Sequence, residues 1–173
     1  METWNTEVMI DEQKIAARVQ ELAAEIEADA AGRPVVLIAV LKGSFVFAAD
    51  LMRAMKTSVE IDFIAVSSYG NQTETTGKVR LLKDLDHDIT DKYAVIVEDI
   101  VDSGLTLDFL VDHFRLHHPA ELKICSLLNK PERRRIETPI DYIGFDIPDT
   151  FIVGYGIDYA QQYRNLPYIG RIV

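Results

Sequence analysis

The sequence predicts an α/β fold built on a central, mainly parallel sheet with helices on both faces. Three observations carry that expectation. Short apolar runs recur at Val35 to Leu41 and Ala94 to Val97, the latter rich in β-branched residues, and at Ile124 to Leu128 within the strand Leu122 to Leu128, as in strands buried on both faces. Segments with apolar residues at helical spacing lie between them. No repeat, low-complexity tract or linker interrupts the alternation.

Taken in order, Asp11 can cap a first helix, in which Ile15, Val19, Leu22 and Ile26 recur at four, three and four residues. Gly32 and Pro34 end it. The strand Val35 to Leu41 stops at Lys42-Gly43-Ser44, Phe45 to Met55 reads as a helix, and Val59 to Ser67 as the next strand. From Ser68 to Lys78 the chain reads SYGNQTETTGK, polar and with nothing to bury, the composition of a mobile loop and of many lids. Val79, Leu81 and Leu85 partly alternate with charged residues, which suits a strand with one wet face. After the central strand, Leu107, Leu110, Val111 and Phe114 fall at helical spacing. Leu122 to Leu128 is a strand ending at Asn129-Lys130-Pro131, and Ile140 to Ile147 and Phe151 to Tyr155 read as two more. The tail from Tyr159 looks irregular. The chain ends do not alternate, and a small separate flap is expected from them.

Composition narrows the function. At 173 residues the chain suits one domain with a real core. A net charge of −10 argues against a broad electrostatic grip on nucleic acid, so an anionic ligand needs local donors or a metal. Cys125 is the one cysteine and lies in an apolar run, which excludes an internal disulfide, fits a reducing compartment and suggests a buried thiol. No apolar run approaches the ~20 residues of a membrane span, and METWNTEVMIDEQK has no signal-peptide pattern. A cytoplasmic protein without membrane or nucleic-acid partners is the expectation.

The chemistry concentrates in Tyr93 to Leu107, YAVIVEDIVDSGLTL. An apolar strand runs into Glu98 and Asp99, then Asp102, Ser103, Gly104, Leu105 and Thr106, just before a helix. Open α/β sheets place ligands at such strand ends. Backbone N–H groups at a helix start, two hydroxyls and a glycine are the ingredients of a phosphate cradle. Three carboxylates beside it suit ribose hydroxyls or Mg²⁺. A solvated acidic loop with a helix cap fits the same residues. GxxxxGK[ST] is absent, and the GxG at Gly154 and Gly156 lacks its third glycine and its strand–helix context.

VIVEDIVDSGLTL closely resembles the signature of purine phosphoribosyltransferases, which bind 5-phosphoribosyl-1-diphosphate. LKGS at Leu41, SYG at Ser68, LLNKPERR at Leu127 and FIVGYGIDYAQQYRNLPYIG at Phe151 follow the order of bacterial hypoxanthine–guanine phosphoribosyltransferases, over nearly the whole chain. The resemblance implies a type I phosphoribosyltransferase fold, a single domain over 1–173 with a core at about 35–145 and a hood from the two chain ends. It implies Mg²⁺-dependent transfer of phosphoribose to hypoxanthine or guanine in purine salvage, by a homodimer or homotetramer.

Residue by residue, the resemblance assigns Glu98 and Asp99 to the ribose hydroxyls and the metal, and Asp102 to the general base near N7 of the purine. Ile100 lies between these carboxylates within the same motif. Asp102, Ser103, Gly104, Leu105 and Thr106 match the 5′-phosphate loop; some relatives carry lysine where Leu105 stands, so the backbone carries that role. Lys42 and Gly43 match the diphosphate loop, with the Leu41–Lys42 bond expected to be cis. Ser68 and Tyr69 match the start of the lid. Lys130 offers donors to a purine O6, which adenine cannot accept. Phe151 matches the stacking ring, Ile152 the residue whose backbone meets the far edge of the base, Asp158 a carboxylate associated with the second Mg²⁺ and Arg164 a diphosphate contact. A regulator on the same fold that binds RNA is disfavoured by the net charge and the intact base-binding set. His113 and His117 stand four apart on the predicted helix, but with no HExxH and no third ligand nearby in sequence they read as surface residues. Arg133 to Arg135 reads as a solvated basic run or a subunit contact.

Overall fold

The computed structural model describes residues 5–69 and 78–173. The first strand, β1 (Thr6–Ile10), precedes helix α1 (Glu12–Ala30), which Asp11 caps as expected: its carboxylate accepts from the Lys14 amide at 2.9 Å. The chain leaves α1 through Ala31 and Gly32, both at positive φ. There follow β2 (Val35–Leu41), α2 (Phe45–Ala54), β3 (Val59–Tyr69), β4 (Lys78–Lys83), β5 (Tyr93–Val101), α3 (Leu105–Arg115), β6 (Glu121–Asn129) and β7 (Tyr142–Asp146). Two short strands close the chain, β8 (Ile152–Val153) and β9 (Ile169–Ile172).

The main sheet has the order β4-β3-β2-β5-β6-β7, parallel throughout except for the antiparallel β3–β4 pair. Side-chain alternation sends the two faces of β5 into different cores. Tyr93, Val95 and Val97 pack with Leu37, Ala39 and the α1 and α2 residues Ile15, Leu22, Ile26, Phe47 and Leu51. Ala94 and Ile96 pack with Val36, Ile38 and the α3 residues Leu107, Leu110 and Phe114. Helices therefore cover both faces, as the unalternating strands require. Cys125 is fully buried, and burial pushes its thiol far up. Among the described residues, no helix is long and apolar enough to cross a membrane.

Several boundaries differ from expectation for physical reasons. β5 runs on to Val101, so Glu98 and Asp99 are strand residues rather than parts of the turn, and Glu98 pairs with Ser126 of β6. β8 stops at Val153 because Gly154, Tyr155 and Gly156 all take positive φ, which no strand sustains. The chain ends form an antiparallel sheet of order β1-β9-β8 in which Thr6 pairs with Ile172 and Ile152 with Arg171. Its two outer segments lie more than 140 residues apart, a pairing that local periodicity does not reveal. The expected lid falls largely on residues 70–77, outside the described residues; the backbone of Ser68 and Tyr69 ends β3, paired with Val79 and Lys78.

Phe114 is fully buried beneath α3. Phe114→Ala is expected to destabilise the fold by about 3–5 kcal/mol, whereas Asp11→Ala, which removes only a cap, costs about 1 kcal/mol. Urea unfolding of both variants checks the ranking; equal losses contradict the packing described.

Candidate active site

The site arises where the strand order changes direction. β2 connects through α2 to β3 on one side, and its neighbour β5 connects through α3 to β6 on the other. The loops after β2 and β5 therefore diverge and leave a crevice at the carboxyl ends of these strands. A cavity of about 250 Å³ lies there, bounded by Leu41, Gly43, Glu98, Asp99, Ile100 and the loop from Asp102 to Leu107 apart from Leu105. Leu105 is the first residue of α3 and does not line it.

Gly43 is required by contact. A Cβ at this position would lie 1.8 Å from the Asp99 carboxylate oxygen Oδ2, so the β2 loop rests its backbone against that side chain. The Leu41–Lys42 bond is cis, as the resemblance implies. Ser44 is buried and returns its hydroxyl to the Val40 carbonyl at 2.7 Å, which fixes the loop's exit into α2.

The carboxylates are held under electrostatic stress. Glu98 is 6% exposed and Asp99 partly buried. Burial pushes the Glu98 carboxyl well above the ordinary range, and the Asp99 charge and hydrogen bond push it the same way. Burial also raises Asp99 to about 6, against the pull of the Ile100 amide, its own amide, the Arg164 charge and the Glu98 hydrogen bond. Two such groups ionise together most readily when a hard cation or hydroxyl donors meet them, and adjacent oxygen ligands at a crevice wall suit that use.

Below them the α3 N-terminus begins at Gly104, with φ +86 and no side-chain cap. A Cβ on Gly104 would meet the Ile136 carbonyl at 2.6 Å, so the turn is pressed against the segment after β6. The Ser103 carbonyl accepts from the Arg135 and Ile136 amides at 3.0 and 3.1 Å. An uncapped helix start with the Ser103 and Thr106 hydroxyls alongside is a ready anion site. Asp102 sits at the cavity rim, its Oδ2 3.3 Å from Arg133 Nη1. Arg133 also reaches Asp149 at 3.3 Å. The basic run is thus partly a site neighbour, a role its sequence context does not signal.

Lys130 is buried at 7% exposure. Its ammonium donates to the Thr150 carbonyl at 2.7 Å and lies 3.8 Å from Asp149, leaving further donors free of those partners. Close by in sequence, Phe151 is 56% exposed and meets Tyr159 edge-on with ring centroids 5.4 Å apart; Ile152 is buried in β8. On the opposite flank Asp158 accepts from Arg164 at 2.8 Å and from the Gln161 amide at 2.8 Å. Gln161 Oε1 lies 3.4 Å from Lys42 Nζ and 3.3 Å from Arg164 Nη2. Gln161 and Tyr159 carry no functional signal in the sequence, and Arg133, read there as part of a solvated basic run or a subunit contact, is instead a neighbour of Asp102. A larger cavity of about 800 Å³ lies between α1, α2 and the C-terminal segment; Arg164 lines it, but none of the strand-end carboxylates does.

The Asp99 shift gives a signed prediction. The folded protein holds the Asp99 proton more tightly, at about 6 against 3.8, so this group costs stability as pH rises through that window. Asp99→Asn should therefore be more stable than the parent at pH 7–8, by about 1–3 kcal/mol, with the gain gone below pH ~4. Urea midpoints at the two pH values test this; a variant less stable than the parent at pH 8 contradicts it.

The phosphoribosyl transferase domain family matches residues 7–160. Hypoxanthine phosphoribosyltransferase of Escherichia coli (strain K12) is 52% identical over 169 residues, covering 96% of this chain and 95% of the relative. A crystal structure of a hypoxanthine-guanine phosphoribosyltransferase from Bacillus anthracis superposes with a TM-score of 0.92 at 61% identity, covering 96% of this chain and 98% of that one. The Trypanosoma cruzi hypoxanthine phosphoribosyltransferase in complex with IMP gives a TM-score of 0.90 at 41% identity, over 100% of this chain and 96% of the other. The chain belongs to the phosphoribosyl transferase domain family.

Proposed function

We propose that this protein transfers the 5-phosphoribosyl group of 5-phosphoribosyl-1-diphosphate to hypoxanthine or guanine, forming IMP or GMP and releasing diphosphate, in purine salvage. One arrangement carries the reading. Asp102 stands between an uncapped helix start that suits a 5′-phosphate and the adjacent carboxylates Glu98 and Asp99, which suit ribose hydroxyls. A buried Lys130 and an exposed Phe151 supply the two demands of a 6-oxopurine, a donor for O6 and a face for the ring. The likeness to enzymes named for these bases, one of them solved with IMP, supports the same conclusion.

In this reading the amides and hydroxyls from Asp102 to Thr106 hold the 5′-phosphate, with Leu105 contributing backbone alone. Glu98 and Asp99 accept from the ribose hydroxyls and would hold one Mg²⁺, while Asp158, now paired with Arg164, would serve a second. A cation held there would supply charge neutralisation for the departing diphosphate. Lys42, Gly43 and Arg164 bind that diphosphate, and Gln161, lying between the lysine and the arginine, sets their spacing. Asp102 takes a proton from the purine as the new bond forms, its carboxylate oriented by Arg133. Ile100 shapes the cavity wall, and the backbone at Ile152 meets the far edge of the base. Ser68 and Tyr69 begin the lid that closes over the bound substrates. The buried thiol of Cys125 suits a reducing cytoplasm, and we propose a homodimer or homotetramer.

Incubation with Mg²⁺, 5-phosphoribosyl-1-diphosphate and hypoxanthine should yield IMP and diphosphate. Asp102→Asn should lower kcat by about 10²-fold or more while leaving the melting temperature nearly unchanged. No nucleotide from either base refutes the function, and a parallel loss of folding in the variant refutes the role of Asp102.

A further inference from the structure

A second constellation lies away from the strand-end crevice. His113 occupies the last turn of α3, and His117 the turn just beyond it, where its amide bonds the Phe114 carbonyl at 3.0 Å. The sequence offers this pair no third ligand nearby. The fold supplies one from 29 residues away: Asp84, immediately after β4, lies with Oδ1 2.9 Å from His113 Nε2. One ligand atom from each of Asp84, His113 and His117 lies within 4.8 Å of the others.

The surroundings suit ligation better than an ordinary ion pair. Phe109 stacks on the His113 ring at 6.2 Å with an interplanar angle of 6°, and Phe114 meets it edge-on at 5.3 Å, so the imidazole is held in orientation. The two imidazoles meet edge-on, with centroids 5.2 Å apart and an interplanar angle of 61°. Asp84 is anchored by its own backbone, its carboxylate accepting from the Leu85 amide at 2.8 Å. The neighbouring cation, Lys83, directs its ammonium to Asp86 and to the Phe63 and Asp84 carbonyls. All three side chains are partly buried, which leaves a wet opening for a further ligand.

We propose that Asp84, His113 and His117 form a structural site for a borderline transition-metal dication, Zn²⁺ above all, completed by water. Two imidazoles and a carboxylate are a ligand set such ions favour and Mg²⁺ does not. Tetrahedral coordination at about 2.1 Å places ligand atoms roughly 3.4 Å apart, between the present 2.9 Å contact and the 4.8 Å outer limit. The metal takes the Nε2 lone pair of a neutral His113 whose N–H sits on Nδ1, so the bond between Nε2 and Asp84 is exchanged for two bonds to the metal. The site would tie the C-terminal end of α3 to the β3–β4 ribbon, about 16 Å along the helix from its phosphate-facing start.

The test uses full-length protein stripped with chelator and kept in excess Mg²⁺, so that the strand-end carboxylates meet their hard cation first. Titration with ZnCl₂ should show one saturable site per chain, and a 100-fold excess over Kd should raise the melting temperature by roughly 5 °C. CoCl₂ should produce the visible absorption of tetrahedral Co²⁺. His117→Ala leaves the Asp84–His113 pair intact and should weaken binding at least tenfold; Asp84→Asn should do the same. Absence of saturable Zn²⁺ binding, or binding unchanged in both variants, overturns the proposal.

Discussion

Two neighbouring carboxylates at the end of a buried strand are the constraint on which this structure turns. Burial raises both Glu98 and Asp99, and the backbone of Gly43 is pressed against Asp99 with no room for a side chain. No gain in folding stability explains that arrangement, because charged oxygens leave water and face one another. It becomes intelligible once a ligand brings hydroxyl donors and a cation to the crevice. The sheet order makes the arrangement possible, since only at the β2–β5 junction do the two loops diverge and expose both strand ends.

Around this centre the site divides by chemistry. On the α3 side, a helix start whose N-cap Gly104 has no side chain, and whose Leu105 amide is held only loosely by the Ser103 hydroxyl at 3.4 Å, favours an anion through its amides and dipole. On the β6 side, Lys130 is buried and tied to Thr150, which fixes its ammonium more firmly than a surface lysine. The phosphate end tolerates any anion of suitable size, whereas the base end demands an acceptor at one place. In the proposed reaction, selectivity among purines rests with Lys130 and its neighbours rather than with the acidic motif. Arg133 links the halves by contacting both Asp102 and Asp149.

The parallel sheet was legible because strands buried on both faces leave unbroken apolar runs, and α1 because Asp11 caps a clear helical period. The grouping of Glu98 to Thr106 at one crevice was legible because these residues are contiguous. The β1–β9 pairing was not legible, because it joins segments at opposite ends of the chain with no local period to announce it. Gln161 and Arg133 were hidden for the same reason: each matters through contact with a residue more than 30 positions away, or 119 in the case of Gln161 and Lys42. Asp84 beside His113 is a third instance, invisible until β4 and α3 are placed together.

In the proposed reaction Lys130 and the strand-end carboxylates together select and ribosylate a 6-oxopurine. The most direct measurement of this is the relative kcat/KM for hypoxanthine, guanine, xanthine and adenine with 5-phosphoribosyl-1-diphosphate and Mg²⁺. The account predicts nucleotide from hypoxanthine or guanine and discrimination against adenine of about 10⁴ or more, because adenine sets an amino donor against the Lys130 ammonium. Adenine turned over as well as hypoxanthine, or no base turned over at all, would contradict it.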